Sequence, residues 1–108
     1  MGFFNANDFP IKDVLPGIRV GSVRLENLML THFTFKAGAV VPVHSHRHEQ
    51  ISLLIEGEME FTLEGETRRI GPGEGCAVPP NAKHSVLAIT DSKVIDCWHP
   101  IREDYIVE

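Results

Sequence analysis

The segment EMEFTLE at residues 58–64 alternates polar side chains with the apolar side chains of Met59, Phe61 and Leu63. An apolar residue at every second position is the pattern of a β-strand that buries one face, because successive side chains point to opposite sides. No stretch of 11 or more residues has the apolar spacing of an amphipathic helix. Comparable strand-like segments, rich in β-branched residues, occur at 18–25, 28–35, 51–55, 85–90 and 94–98.

Glycine and proline separate these segments. Nine Gly and seven Pro lie mostly in short clusters, such as Gly71-Pro72-Gly73, and divide the chain into pieces of strand length. Seven or more short strands with frequent turns are typical of a β-sandwich or β-barrel, in which curling or double layering protects the edge strands. We therefore expect an all-β fold, and the 108 residues suit one domain spanning 1–108.

Charge argues against a nucleic-acid partner, and the lack of a long apolar stretch argues against a membrane. Ten Lys and Arg stand against fifteen Asp and Glu, a net charge of −5, so we expect no nucleic-acid partner. No stretch approaches the roughly 20 apolar residues of a membrane span, and the N-terminal segment lacks a secretory pattern. We therefore expect a cytoplasmic protein without a membrane contact. Cys76 and Cys97 are expected to be small buried side chains without a disulfide.

The segment HSHRHEQ at residues 44–50 concentrates candidate metal ligands. In an extended chain His44 and His46 project to the same side, so both imidazoles can reach one divalent ion. Gln50 joins them either by parity, if the chain stays extended, or by returning on a neighbouring strand after a turn. Glu49 has the opposite parity and is expected to point outward, whereas His48 is an alternative to Gln50 as a ligand.

A third imidazole is available at His84, which follows the Pro-Pro-Asn turn at 79–81 and opens a predicted strand. This position complements His44 and His46, because three protein imidazoles with open coordination positions are what a catalytic metal site requires. Nitrogen and oxygen donors accommodate Zn, Ni, Mn or Fe, so the sequence predicts a divalent transition metal ion without selecting one.

Two motifs within residues 38–88 resemble those of the cupins. The first, at 38–57, matches in spacing at Gly38, His44, His46, Gln50 and Gly57. The second, at 73–88, matches at Gly73, Pro79 and His84, with Asn81 in place of a Gly and Ala88 in place of a frequent Asn. Asn adopts positive φ more readily than most side chains, and Ala88 replaces no ligand.

The resemblance to the cupins implies a cupin-type jelly-roll β-barrel with a metal ion held by His44, His46, Gln50 and His84. Many cupins carry Glu where this chain has Gln50. Because an amide leaves the charge of the ion uncompensated, we expect the site to attract an anionic, oxygen-rich ligand.

The C-terminal stretch 94–105 carries the remaining candidates. Asp96 and Trp98 share one face of a strand, and Arg102 follows Pro100, where its guanidinium can hold a carboxylate over the mouth of the barrel. By parity alone the alternative is equally open: an edge Asp96, a core Trp98, and an Arg102 paired with Glu103 or Asp104.

This stretch resembles the KdgF-like cupins of pectin and alginate breakdown, in which Asp-x-aromatic-x-x-x-Arg accompanies the metal site. Trp98 stands where Phe is usual. The resemblance implies conversion of a 4,5-unsaturated monouronate from its cyclic form to a linear keto acid. Asp96 would then move the proton, Arg102 would hold the carboxylate, and Trp98 would orient the small anionic sugar acid.

Other functions remain open at this point. One is another cupin metalloenzyme, such as a dioxygenase or an isomerase, and a second is a sugar- or metabolite-binding cupin without catalysis. We also expect a homodimer, because cupins of this size commonly pair through sheet edges. The apolar start, with Phe3, Phe4 and Phe9, is another candidate contact unless these rings cap the barrel.

Overall fold

A computed structural model of the protein describes residues 2–107. Two short 3-10 helices, Ala6–Asp8 and Glu103–Tyr105, flank ten strands, in agreement with the expected all-β chain. The strands are β1 (Ile11–Leu15), β2 (Ile18–Arg24), β3 (Met29–Phe35), β4 (Val40–His44), β5 (Glu49–Glu56), β6 (Met59–Leu63), β7 (Glu66–Ile70), β8 (Gly75–Val78), β9 (His84–Ala88) and β10 (Ser92–His99).

The strands form two antiparallel sheets. One has the order β1-β2-β3-β10-β5-β8 and the other the order β4-β9-β6-β7. Within residues 2–107 the two sheets are separate hydrogen-bonded ladders, so the predicted jelly roll is confirmed as two layers and not as one closed barrel. Their facing surfaces bury an apolar core that includes Val20, Met29, Leu54 and Met59.

The alternation read from the sequence determines which side chains enter this core. On β6, Met59 and Phe61 are buried, as the segment 58–64 predicts. On β10 the same alternation buries Asp96 and Trp98 and leaves Cys97 exposed. The expectation of a buried Cys97 is therefore wrong, because inward neighbours on both sides direct its thiol outward. Cys76 is half-buried, and both thiols are free.

Two turn residues of the cupin motifs, Gly57 and Asn81, have positive φ angles. Gly57, between β5 and β6, has φ +97°, and a Cβ there would collide with the Asp91 carbonyl and the Ser92 hydroxyl. Only glycine fits this position. Asn81 has φ 65°, so the residue that replaces a motif glycine does adopt the left-handed conformation.

Candidate metal centre

Three imidazoles meet between the two sheets. His44 ends β4 and is the register partner of His84, the first residue of β9, so strand pairing places these two rings side by side with centroids 4.1 Å apart. His46 lies in the segment after β4, and its ring centroid is 4.8 Å from that of His84. One ligand atom from each histidine lies within 4.8 Å of the others, so these three residues are close enough together to be candidate ligands of one ion.

Backbone carbonyls determine which nitrogen of each ring is free. The Nδ1 atoms of His44, His46 and His84 lie 2.8, 3.1 and 2.9 Å from the carbonyl oxygens of Pro42, His48 and Ala82. A carbonyl oxygen only accepts hydrogen bonds, so each Nδ1 carries the proton and each Nε2 presents a lone pair. This is the tautomer that a metal ligand requires.

Burial keeps two of these rings neutral. It lowers the pKa of His46 to about 4, with the nearby charge of Arg102 as the next cause, and it also lowers the pKa of His84. Nε2 of His84 is buried and has no hydrogen-bond partner in the part of the chain that the structure describes. An unsatisfied lone pair in the interior fits a ligand position for a cation.

Gln50 reaches the cluster by the second of the two routes open from the sequence. The chain bends at 47–48 and returns as β5, and the Gln50 Oε1 atom lies 3.1 Å from Nε2 of His46. The Gln50 amide nitrogen donates to Ser52 Oγ at 2.9 Å and to Asp96 Oδ2 at 3.4 Å, which identifies Oε1 as the atom that faces His46. Two lone-pair acceptors therefore converge here.

Asp96 lies deeper, on β10, opposite Ser52 in the register of the six-stranded sheet. Burial raises the pKa of Asp96 to about 7, although a hydrogen bond from Ser52 and the charge of Arg102 act in the opposite direction. Its Oδ1 atom has no hydrogen-bond partner among residues 2–107. A carboxyl group that titrates near neutral pH and has a free oxygen can accept and return a proton.

Trp98 forms one wall of the site. Its ring centroid is 5.4 Å from that of His46, and its indole N–H donates to Thr31 Oγ1 on β3 at 2.8 Å. The ring is 3% exposed, so the inward placement of Asp96 and Trp98 is the one the structure adopts. Tyr105 packs against Trp98 with a centroid separation of 5.5 Å.

Arg102 combines the two arrangements considered from the sequence. Its guanidinium covers Trp98, with Cζ 4.8 Å from the ring centroid, and it also pairs with Asp104 through Nε and Nη2 at 3.1 and 2.9 Å. Asp104 therefore occupies the Nε and Nη2 edge of the guanidinium, which is the pairing that the sequence left open as an alternative. Nη1 is buried and without a partner in the described chain.

Two other candidates from the segment 44–50 lie outside the cluster of His44, His46 and His84. His48 is absent from the three-histidine group, although its ring centroid is 5.5 Å from that of His46, and Glu49 is exposed as expected. Sequence reasoning missed Ser52 and Thr31, and it named Asp104 only as a possible surface partner of Arg102. Ser52 could have been predicted, since it has the same strand parity as Gln50 and therefore points to the same side of β5.

The sequence matches the cupin domain family over residues 31–97. The chain belongs to the cupins. Among residues 2–107 of this cupin, no helix has the length and apolar composition that a membrane crossing requires.

Relatives over the full length of this cupin include the pectin degradation protein KdgF of Dickeya dadantii (strain 3937), which is 28% identical over 107 residues. That alignment covers 96% of this chain and 97% of the relative. The structure of KdgF from Halomonas sp. has a TM-score of 0.91 and 37% identity, covering 98% of this chain and 99% of the other. An RmlC-like cupin from Shewanella frigidimarina NCIMB 400 has a TM-score of 0.93 and 30% identity, covering 98% and 96%. The predicted likeness to KdgF-like cupins is confirmed.

Proposed function

We propose that this cupin is a metal-dependent enzyme that converts 4,5-unsaturated monouronates from the cyclic to the linear keto form. The main observation in favour of a bound metal ion is that His46 Nε2 and Gln50 Oε1 lie 3.1 Å apart. Both atoms present lone pairs, because Nδ1 of His46 and the amide nitrogen of Gln50 are engaged elsewhere. Two acceptors that face each other are stabilised by a cation between them.

The ligands of the ion would be Nε2 of His44, His46 and His84 together with Gln50 Oε1. Once bound, a divalent Zn, Ni, Mn or Fe ion supplies Lewis-acid polarisation of a ring oxygen or hydroxyl. All four ligand groups are uncharged, so the ion would retain its positive charge and favour an anionic sugar acid.

The reaction is an isomerisation, so atoms and electrons balance without an oxidant or reductant. A proton leaves the C1 hydroxyl, the bond between C1 and the ring oxygen breaks, and the former ring oxygen becomes an enol at C5. Loss of the enol O–H proton together with addition of a proton at C4 then yields the C5 ketone. Each step requires a group that exchanges a proton near neutral pH, and Asp96, with a pKa of about 7, meets that requirement.

The remaining residues orient the sugar. Arg102 places positive charge beside Trp98 and His46, where it would attract the uronate carboxylate. Trp98 offers an apolar wall beside His46, against which the ring of the sugar would lie. Support from relatives comes from the Dickeya dadantii protein, which is named for pectin degradation, and from the KdgF structure of Halomonas.

The test follows loss of the double-bond absorbance of a freshly prepared 4,5-unsaturated monouronate. We expect the protein to accelerate this loss above the spontaneous rate and a chelator to abolish the acceleration. Asp96→Asn should remove turnover, whereas Asp13→Asn, an exposed carboxylate on β1, should not. An absence of acceleration by the metal-replete protein would refute the proposed reaction. Uronate binding without turnover would instead support a binding cupin, and oxygen-dependent turnover with iron would support a dioxygenase.

A further inference from the structure

The Arg102–Asp104 pair differs from the other ion pairs among residues 2–107. In the pairs Arg19–Asp13, Arg68–Glu66 and Arg69–Glu58 the arginine side chains are 59%, 76% and 64% exposed. Exposed pairs of this kind contribute little to stability. The Arg102 side chain is only 13% exposed, while that of Asp104 is 61% exposed. The carboxylate therefore reaches from the surface onto a guanidinium that is largely buried.

Aromatic rings form the other boundary of the guanidinium. Cζ of Arg102 lies 4.8 Å from the centroid of Trp98 and 4.4 Å from that of Tyr105. Attraction between a cation and an aromatic ring restrains the distance of the guanidinium from each ring but not its rotation in its own plane. That rotation decides which N–H groups face the metal centre.

Asp104 restrains that rotation. Its Oδ1 and Oδ2 atoms accept hydrogen bonds from Nε and Nη2 at 3.1 and 2.9 Å, and two parallel bonds allow one in-plane orientation. Burial raises the pKa of Asp104, but the hydrogen bond and charge of Arg102 outweigh it and keep the pKa below its usual value, so the carboxylate is ionised at neutral pH. Nη1 is then left buried and unpartnered within the described chain.

We propose that Asp104 is a positioning residue, which holds the Arg102 guanidinium over Trp98 with Nη1 presented to the carboxylate of a bound sugar acid. An unpaired buried N–H of a cation is costly unless a ligand satisfies it, and a carboxylate is the matching acceptor. The ligand class rests on the proposed function, but the positioning role of Asp104 does not require turnover.

The test is a double-mutant cycle on the full chain as purified with its metal. Trp98 is the only tryptophan and lies under Arg102, so its fluorescence reports binding directly. The probes are D-galacturonate and D-galactose, which differ in the carboxylate. We expect Asp104→Asn to weaken galacturonate binding roughly tenfold, the effect of losing one charge-assisted interaction, and to leave galactose binding unchanged.

Two comparisons separate positioning from a structural role. In an Arg102→Ala background, Asp104→Asn should have no further effect on galacturonate binding, because its action passes through Arg102. Glu103→Gln is the matched control, since Glu103 is an exposed acid in the same 3-10 helix without an ion pair to Arg102. With the unsaturated monouronate, Asp104→Asn should raise KM by a larger factor than it lowers kcat.

Equal loss of galactose binding, or an undiminished effect in the Arg102→Ala background, would overturn the positioning role. No response of the wild-type protein to galacturonate would also overturn it. An intact cycle without monouronate turnover would confirm the positioning role and refute only the proposed reaction.

Discussion

Replacement of Asp96 by asparagine should stabilise the metal-free protein in a pH-dependent manner. Burial raises the pKa of Asp96 from 3.8 to about 7, so the folded state retains a proton that the unfolded chain releases. The neutral carboxyl group contributes its full stability below pH 3.8. That contribution declines as the pH rises toward about 7 and is absent above it. The asparagine side chain of the variant does not titrate. The variant therefore retains the stability that the wild-type protein loses between pH 3.8 and about 7.

The magnitude follows from the two pKa values of Asp96. The interval between 3.8 and about 7 corresponds to about 4 kcal/mol of unfolding free energy, because each pH unit contributes about 1.4 kcal/mol. This is a large share of the roughly 5–15 kcal/mol by which domains are stable. The lowered pKa values of His46 and His84 have the opposite effect, because they make the folded protein less stable as the pH falls. Their contribution is common to both proteins and cancels in the difference.

The assay is urea unfolding followed by circular dichroism, in the presence of chelator, at intervals from pH 4 to pH 8. We expect the unfolding free energy of Asp96→Asn, minus that of the wild-type protein, to become more positive by up to about 4 kcal/mol as the pH rises across this range. The control Asp13→Asn alters an exposed carboxylate and should give a nearly flat difference. A flat difference for Asp96→Asn would refute the raised pKa, and with it the proton-transfer role of this carboxyl group.

Three further predictions concern packing and assembly. Thr31→Val should cost about 1–3 kcal/mol of unfolding free energy, because the Trp98 N–H then loses its acceptor in the interior; wild-type stability would contradict this. Gly57→Ala should destabilise by more than about 1 kcal/mol in the same unfolding assay, since φ is +97° and a Cβ would collide with Asp91 and Ser92. The homodimer also stays a prediction: Phe3 and Phe4 are exposed, and sedimentation should give twice the chain mass of 12.0 kDa, whereas a species of 12.0 kDa would rule it out.

The fold and the positions of the three clustered histidines were largely predictable because they follow from strand parity and spacing. Period-two alternation determines the inward face of β6 and β10, and with it the placement of Asp96 beside Trp98. Several strands lack that signal, among them β1, β7 and β8. β1 and β7 have mostly exposed residues, and β8 has only four residues, so none presents a clear apolar alternation.

The partners of the site residues were less predictable, because they depend on three-dimensional proximity. Arg102 is two residues from Asp104, and sequence spacing alone does not distinguish a surface pair from a guanidinium stacked on Trp98. Thr31 is 67 residues from Trp98 and meets it only because β3 and β10 are neighbours in the sheet. Gln50 required a bend at 47–48 that residue types did not specify.

We propose that His44, His46 and His84, with Gln50, hold one divalent ion. The most direct measurement is equilibrium dialysis of chelator-treated, tag-free protein against Zn²⁺, Ni²⁺ or Mn²⁺, followed by metal analysis. We expect about one ion per chain for at least one of these metals, near-complete loss in His84→Ala, and full retention in His99→Ala, whose ring is exposed on β10. Wild-type protein that binds no ion, or His84→Ala that binds as much as wild type, would contradict the account.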